Sequence, residues 1–412
     1  MRRFGLLGER LSHSFSPAIH AELGNYEYRI YEKKPEEIEA FLADSCDSGF
    51  DGLNVTIPYK KTVIPFCRSL SETARAAGSV NTIVRLADRS LYGDNTDYFG
   101  FRYLIKKTKI NPVDGKIIVL GSGGSSFTVQ SVLRDMGVKK IVVVSRNGTD
   151  NYENIENHRD AIMIINTTPV GMYPNNGVSP LNNLSIFKNC RAVIDLIYNP
   201  ARTELLLQTE ELGIMAIDGL AMLVAQAKKS AELFMCEDIS DNQIEIITEK
   251  ISRLTKNIVL IGMPGCGKTS IGAELAKIMG REFADTDDLI EQTAGKSIPL
   301  IFAEDGEENF RILETDVLRN LCKKSGLVIA TGGGVVKKPD NRQIMRQNSS
   351  IIFLERDITQ LAVANRPLSE QYGINTLAAE RLPLYKEWGE YTVSVCGIEQ
   401  TAAKIYAQIC ST

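Results

Sequence analysis

The sequence predicts an α/β protein of more than one domain, and three observations carry that prediction. The chain has 412 residues, too many for one ordinary core, since domains usually hold about 100 to 200. Short β-branched runs recur between helical patterns along its length. Two Gly-rich loops each follow such a run and lead into a helical pattern.

The apolar runs are 117–120, 141–144, 162–165, 193–196, 258–261, 328–330 and 351–354. Continuous runs of this kind suit parallel sheets covered on both faces. Between them, residues 237–256 are polar and charged, with helical spacing at Ile244, Ile247, Ile251 and Leu254. A fresh strand-loop-helix unit follows, so this segment reads as the boundary between two functional halves. The two loops differ too much to be internal copies.

Composition narrows the function. Hydrophobic residues make up 43%, charged residues 24%, and the formal net charge is −4, which describes an ordinary soluble globular protein. No nucleic-acid or membrane partner is expected. The start is too short in apolar residues for a signal peptide, and Gly, Pro or charge breaks every later apolar run, so a cytoplasmic location is expected. The eight cysteines form no C-x-x-C pair, which argues against a zinc site or a disulfide framework. With three histidines, His13, His20 and His158, acid–base work falls to lysine and carboxylates. Self-association is left open.

The first loop reads Gly121-Ser122-Gly123-Gly124-Ser125-Ser126. Glycines allow a tight turn and bring backbone N–H groups and a helix N-terminus against a pyrophosphate. Ser126 stands where a third Gly or Ala is usual, and such a loop alone is often only a loop. The next strand ends Ser145-Arg146-Asn147, with no acidic residue for a ribose 2′-hydroxyl. Arginine there suits the 2′-phosphate of NADP.

Ahead of this loop lie Ser14-Phe-Ser16-Pro17, Asn54-Val-Thr56-Ile-Pro58-Tyr-Lys60, Gly78-Ser-Val-Asn81-Thr82 and Gly93-Asp-Asn-Thr96-Asp97. After it come Asn166-Thr-Thr-Pro-Val-Gly-Met172, Asp195-Leu196-Ile-Tyr198 and Asp218-Gly219-Leu-Ala-Met-Leu-Val-Ala-Gln226. Each alone is a plausible turn or cap. Their order together resembles shikimate dehydrogenase over residues 1–235.

That resemblance implies a substrate domain of residues 1–97 and 219–250 around a Rossmann-type NADP domain of residues 98–218. Ser14 and Ser16 would donate to the substrate carboxylate, with Tyr198 nearby, while Thr56, Asn81 and Gln226 read ring hydroxyls. NADP contacts would come from Gly121, Ser122, Gly123, Gly124, Ser125, Ser145, Arg146, Leu196 and Gly219. Lys60 and Asp97 would serve the chemistry, because hydride delivery to the C3 ketone of 3-dehydroshikimate leaves an alkoxide needing a cation or proton. Whether Lys60 gives the proton or holds geometry stays open.

The second loop, Gly262-Met-Pro-Gly265-Cys266-Gly267-Lys268-Thr269, matches G-x-x-x-x-G-K-[ST] in full, with strand before and helix after. Its N–H groups would cradle phosphates, Lys268 would reach the β and γ positions, and Thr269 would ligate Mg²⁺. Cys266 reads as a small loop residue.

The loop leaves the acceptor open. Downstream stand Asp285-Thr-Asp287, Gly306-Glu-Glu-Asn-Phe-Arg311, Gly332-Gly333-Gly334, Arg366-Pro-Leu and Arg381-Leu-Pro-Leu-Tyr385. The series resembles shikimate kinase across 257–410, which implies a P-loop domain of the nucleoside-monophosphate-kinase kind over 257–412.

ATP contacts would come from Gly265, Cys266, Gly267, Lys268, Thr269 and Ser270. Asp285 would complete the Mg²⁺ shell, Asp287 would hold a ring hydroxyl and accept its proton, and Gly333 would approach the sugar acid. Arg311 and Arg381 would bind the carboxylate, and Arg366, on a lid, would stabilise the transferring phosphoryl group. The stretch 355–365 is shorter than many family lids and lacks a second arginine just before Arg366.

Both resemblances meet on one metabolite, since the first activity makes the C3 hydroxyl that the second phosphorylates. The rivals are a quinate-type dehydrogenase, a kinase of another hydroxy acid, and a C-terminal nucleotide sensor. Sensing needs neither Asp287 nor the pair Arg311 and Arg381.

Overall fold

The computed structural model describes residues 2–11, 14–43, 49–361 and 373–410. Arg366 therefore lies outside the described residues. The chain forms two compact units, one of Met1–Met172 with Val178–Arg253 and one of Tyr173–Gly177 with Leu254–Thr412.

The first unit holds two sheets. One is mixed, in the order β2-β1-β3-β5-β6-β4, built from β1 (Arg3–Gly8), β2 (Glu27–Glu32), β3 (Gly52–Val55), β4 (Cys67–Leu70), β5 (Thr82–Arg85) and β6 (Leu91–Asp94). These strands escape a search for apolar runs because they are short and carry buried polar residues: Asn54 in β3 and Thr82 in β5.

The other sheet is parallel throughout, in the order β11-β10-β9-β7-β8. Its strands are β7 (Lys116–Leu120), β8 (Lys140–Val144), β9 (Ala161–Asn166), β10 (Ala192–Asp195) and β11 (Met215–Ile217). Strand order reverses at β7, which has β8 on one side and β9 on the other. Crevices outside such a switch point are where open α/β sheets bind ligands, and the Gly121 loop leaves β7 there.

The helices Asp97–Lys107 and Leu220–Met235 pack together within this unit, so residues from both ends of the segment reach the same place. The helical spacing in 237–256 is the helix Asn242–Thr255, and the division between the two units falls inside that segment. Ile244, Ile247 and Ile251 are buried in a cluster with Leu220, Val224 and Ala227, and each such burial contributes about 1.5 to 3 kcal/mol. Leu254 keeps the helical spacing but is 54% exposed, because the first unit ends at Arg253.

The second unit is a parallel sheet in the order β13-β14-β12-β15-β16. It comprises β12 (Asn257–Ile261), β13 (Phe283–Asp285), β14 (Val328–Ala330), β15 (Ser349–Glu355) and β16 (Tyr391–Ser394). Because β13, β14 and β12 are neighbours, three loops leave the same edge together. They carry Asp285-Thr-Asp287, Gly332–Gly334 and the second phosphate loop.

Candidate active sites

In the first unit, Lys60 follows β3 on a loop, and Asp97 opens the helix Asp97–Lys107. The Lys60 ammonium donates to Asp97 Oδ2 at 2.6 Å. The two side chains are 28% and 17% exposed, so the pair keeps contact with solvent while staying fixed. Beside it, the Asn81 Oδ1 accepts the Thr96 N–H at 2.7 Å, and Asn81 Nδ2 donates to Gln226 Oε1 at 3.4 Å. Asn81, Gln226, Asp97 and Lys60 thus converge from two loops, a helix start and a helix interior.

Ser16 is buried at the first turn of the helix Ser16–Leu23, where its N–H donates to Ser14 Oγ at 3.2 Å. Tyr198 packs its ring on Phe15, 5.4 Å between centroids. A half-buried tyrosine of β2 reaches inward: Tyr28 donates to Asn54 Oδ1 at 2.8 Å. Burial holds the Tyr28 hydroxyl well above its ordinary range, so it stays a neutral donor. Thr56 is half-buried on the loop after β3, its N–H donating to Leu7 O at 2.9 Å.

The first phosphate loop leaves Ser122, Gly123, Gly124 and Ser125 exposed, with a helix starting at Gly124. A Cβ at Gly123 or Gly124 would meet nothing within 4 Å, which leaves room for a bulky anion at a helix N-terminus. This fits a dinucleotide pyrophosphate. Ser126, in the place of the third glycine, is fully buried and accepts from Gln130 Nε2 at 3.1 Å, so the substitution is absorbed in the helix. Arg146 is exposed just past β8, after Ser145. Gly219 admits no side chain, since a Cβ would run into the Leu196 carbonyl.

In the second unit, the helix Lys268–Met279 begins on the loop itself. The Lys268 ammonium is folded back, donating to the Gly262 and Met263 carbonyls at 2.8 and 3.1 Å. Cys266 is buried, Gly265 and Gly267 sit in the loop, and Thr269 and Ser270 are exposed at the helix start. Thr269 Oγ1 donates to Asp285 Oδ2 at 2.7 Å. A hydroxyl and a carboxylate so placed fit a hard, oxygen-seeking cation.

The triple glycine ties these parts together. A Cβ at Gly333 would meet Pro264 of the phosphate loop at 2.6 Å, and one at Gly332 would meet Asp287 Oδ1 at 2.7 Å and Glu314 Oε1 at 2.9 Å. One at Gly334 would run into the Arg311 guanidinium. Arg381 donates to Gly333 O at 3.0 Å, and Tyr385 donates to the same oxygen. Arg311 and Arg381 are only 4% and 1% exposed.

Several residues here lay outside the sequence reading. Glu314, 1% exposed, accepts from Arg311 Nη1 at 2.8 Å, and Glu307 accepts from Arg311 and from Lys337. Burial pushes the Glu314 carboxyl above its ordinary value against the pull of Arg311 and Arg381. Helical spacing could have found Glu307, Glu314 and Tyr385, each three or four residues from an assigned arginine. Asn54 and Thr96 of the first unit stood in quoted motifs without a role, and Ser230 had no such signal.

The first unit is thus a two-domain dinucleotide-dependent oxidoreductase by fold and loop, and the second a P-loop kinase. The shikimate dehydrogenase substrate-binding domain matches residues 6–83, and shikimate kinase matches 264–412. A shikimate dehydrogenase (NADP(+)) of Clostridium perfringens is 35% identical over 271 residues, covering 61% of this chain and 98% of that protein. The crystal structure of shikimate dehydrogenase 1 from Peptoclostridium difficile, 37% identical, covers 61% of this chain and 98% of its own, with TM-score 0.56. A quinate dehydrogenase from Corynebacterium glutamicum in complex with NAD is 27% identical, covers 61% and 98%, and has TM-score 0.55. The chain belongs to the shikimate dehydrogenase family through its first unit and carries a shikimate kinase domain after it.

Proposed function

We infer that the chain catalyses two consecutive steps: NADPH-dependent reduction of 3-dehydroshikimate to shikimate, then ATP-dependent phosphorylation of shikimate at the C3 oxygen. When bound, NADPH would supply the hydride, ATP the phosphoryl group, and Mg²⁺ positive charge. Domains of residues 1–97 with 219–250, of 98–218 and of 257–412 fit this division.

In the reductase, Ser14 and Ser16 hold the substrate carboxylate with Tyr198 beside them, and Thr56, Asn81 and Gln226 hold the ring hydroxyls. Lys60, anchored by Asp97, stands at the C3 oxygen, where the alkoxide left by hydride addition takes up a proton. The exposed first loop, with Ser145, Arg146, Leu196 and Gly219, would hold NADP, Arg146 meeting the 2′-phosphate.

In the kinase, Arg311 and Arg381 bind the carboxylate, and Gly333 lets backbone approach the ring. Asp287 would accept the C3 hydroxyl proton as that hydroxyl oxygen takes the γ-phosphoryl group and ADP leaves, while Lys268 would leave its carbonyls for the phosphates. Thr269 and Asp285 would hold Mg²⁺. Arg366 keeps its proposed role at the transferring group. The reduction draws on NADPH and the phosphorylation on ATP, consistent with placement in the cytoplasm. Among the described residues no helix is long and apolar enough to cross a membrane.

The observation that carries the kinase reading is the triple glycine, which touches Pro264, Asp287 and Arg311 at once. A nucleotide sensor needs no such junction. The quinate reading is not favoured, since the identity to a quinate dehydrogenase is 27% against 35% and 37% for shikimate dehydrogenases. The test measures ADP release with and without shikimate, and NADPH oxidation with 3-dehydroshikimate. Release that needs shikimate, with rapid NADPH oxidation, is expected. Release indifferent to shikimate would overturn the kinase half, and preference for 3-dehydroquinate the other.

A further inference from the structure

Ser230 lies one turn beyond Gln226 on the helix Leu220–Met235 and is fully buried. Its hydroxyl donates to Gln226 O at 2.9 Å, the back-bond open to a serine inside a helix. That uses its one proton, so the two lone pairs left can only accept.

Three groups crowd those lone pairs. Asn54 Nδ2 donates to Ser230 Oγ at 2.7 Å, and Thr82 Oγ1 and Thr96 Oγ1 stand 2.9 and 3.0 Å away. Tyr28 already occupies Asn54 Oδ1, so the Asn54 amide must present its nitrogen to Ser230. Ser230 therefore takes one hydrogen from Asn54 and one from a threonine.

The other threonine hydroxyl has Asn81 Oδ1 nearest at 3.1 Å from Thr82 Oγ1 and 3.2 Å from Thr96 Oγ1, with Gln226 Oε1 at 3.4 Å from Thr96 Oγ1 and the second threonine at 3.2 Å as further partners. The Thr96 N–H, which can only donate, also points at this oxygen. Asn81 Oδ1 is thereby held inward and its NH₂ group outward, toward Gln226. Asn81 can then only donate to a ligand hydroxyl.

We propose that Ser230 is a positioning residue of the dehydrogenase, which through Thr82 and Thr96 fixes the orientation of the Asn81 amide and so sets affinity for the polyhydroxylated ring. The proposal rests on the assignment of Asn81 to ring hydroxyls. Without the Ser230 hydroxyl, Asn54 Nδ2 and one threonine lose their acceptor in a buried place. The threonines turn to satisfy them, and Asn81 Oδ1 keeps the Thr96 N–H but loses its hydroxyl partner, so the amide is held less tightly. A hydroxyl that merely fastened the helix to β3 and β5 would instead act on stability and on all kinetic constants together.

The test is a double-mutant cycle in the full chain with Ser230→Ala, Asn81→Ala and both. Ser230→Ala is expected to raise KM for 3-dehydroshikimate about five- to tenfold, with kcat and the NADPH KM within about twofold. Combined with Asn81→Ala it adds less than about twofold, because the relay ends at Asn81. If Asn81→Ala raises KM and Ser230→Ala does not, or if the two effects multiply, the positioning role is overturned. If Asn81→Ala leaves KM unchanged, the underlying site assignment falls as well. Should Ser230→Ala fail to fold, Ser230→Cys, similar in shape with a weaker acceptor, decides the matter: a raised KM supports the role and a parental KM overturns it.

Discussion

Lys60 and Lys268 are the two lysines assigned to chemistry, and the chain holds them by opposite means. Lys60 is 28% exposed and paired with a carboxylate that is itself fixed at a helix start. Lys268 is 7% exposed and rests on neutral carbonyls at 2.8 and 3.1 Å. A ketone reduction creates one negative charge at one atom, so a single balanced pair in a neutral hydrogen-bonding site suffices. Phosphoryl transfer must balance several charges at once, and there the site holds Arg311, Arg381, Glu314, Asp285 and Lys268 all buried. The carbonyls hold Lys268 only until an anion with more to offer arrives.

The sharpest way to break this comparison is to remove each lysine in turn. Lys268→Ala should lower the kinase kcat by about 10³-fold while NADPH oxidation is unchanged. Lys60→Ala should lower the dehydrogenase kcat by about 10²-fold and spare the kinase. Loss of both activities from either change in a folded protein, read by parallel assays, would show that the sites are not separate.

A smaller effect tests the crowding of the kinase site. Gly334→Ala sets a Cβ against the Arg311 guanidinium, so the shikimate KM of the kinase should rise about tenfold as the arginine shifts from its carboxylate-binding pose. An unchanged KM would show that Arg311 does not bind substrate from this position. On the dehydrogenase side, Arg146→Asp should cut the NADPH over NADH preference in kcat/KM about tenfold or more. Arg146 is exposed, so folding should be spared, and an unaltered preference would remove it from the cofactor site.

The smallest effect is on stability. His20 is buried, stacked on Tyr28 and bonded through Nδ1 to the Tyr26 hydroxyl at 2.7 Å, and burial lowers its pKa to about 3. Folded, it stays neutral down to that pH, whereas the unfolded chain takes up the proton below about 6.5. The unfolded state therefore binds more protons in this window, and stability is lost as pH falls, by at most about 1.4 kcal/mol per pH unit. His20→Gln should flatten that loss. Denaturant titrations at pH 7.5 and 5.5 should show the difference in the dehydrogenase transition and none in the kinase transition.

Legibility from sequence differed between the units for physical reasons. The parallel strands β7 to β10, and β12, β14 and β15, were readable because burial on both faces demands continuous apolar runs. The mixed sheet was not, since Asn54 and Thr82 interrupt its strands with polar groups that only tertiary partners satisfy. The segment 237–256 was legible as helix and boundary, and the structure adds that three of its isoleucines belong to the first core.

The sequence by itself determined the two loop chemistries, the order of the motifs, and so the two reaction classes, because glycine, lysine and threonine at fixed spacing act through local backbone geometry. It also named Lys60, Asp97, Arg311 and Arg381. Only the tertiary structure decided their company. Glu314 against Arg311, Gly334 beneath that guanidinium, and Ser230 between Asn54, Thr82 and Thr96 depend on contacts that spacing within one element does not wholly encode. Asn54 and Ser230 are 176 residues apart in the chain. Their pairing exists because the helix Leu220–Met235 returns to the N-terminal sheet, where buried polar groups must find one another or lose the hydrogen bonds they had in water.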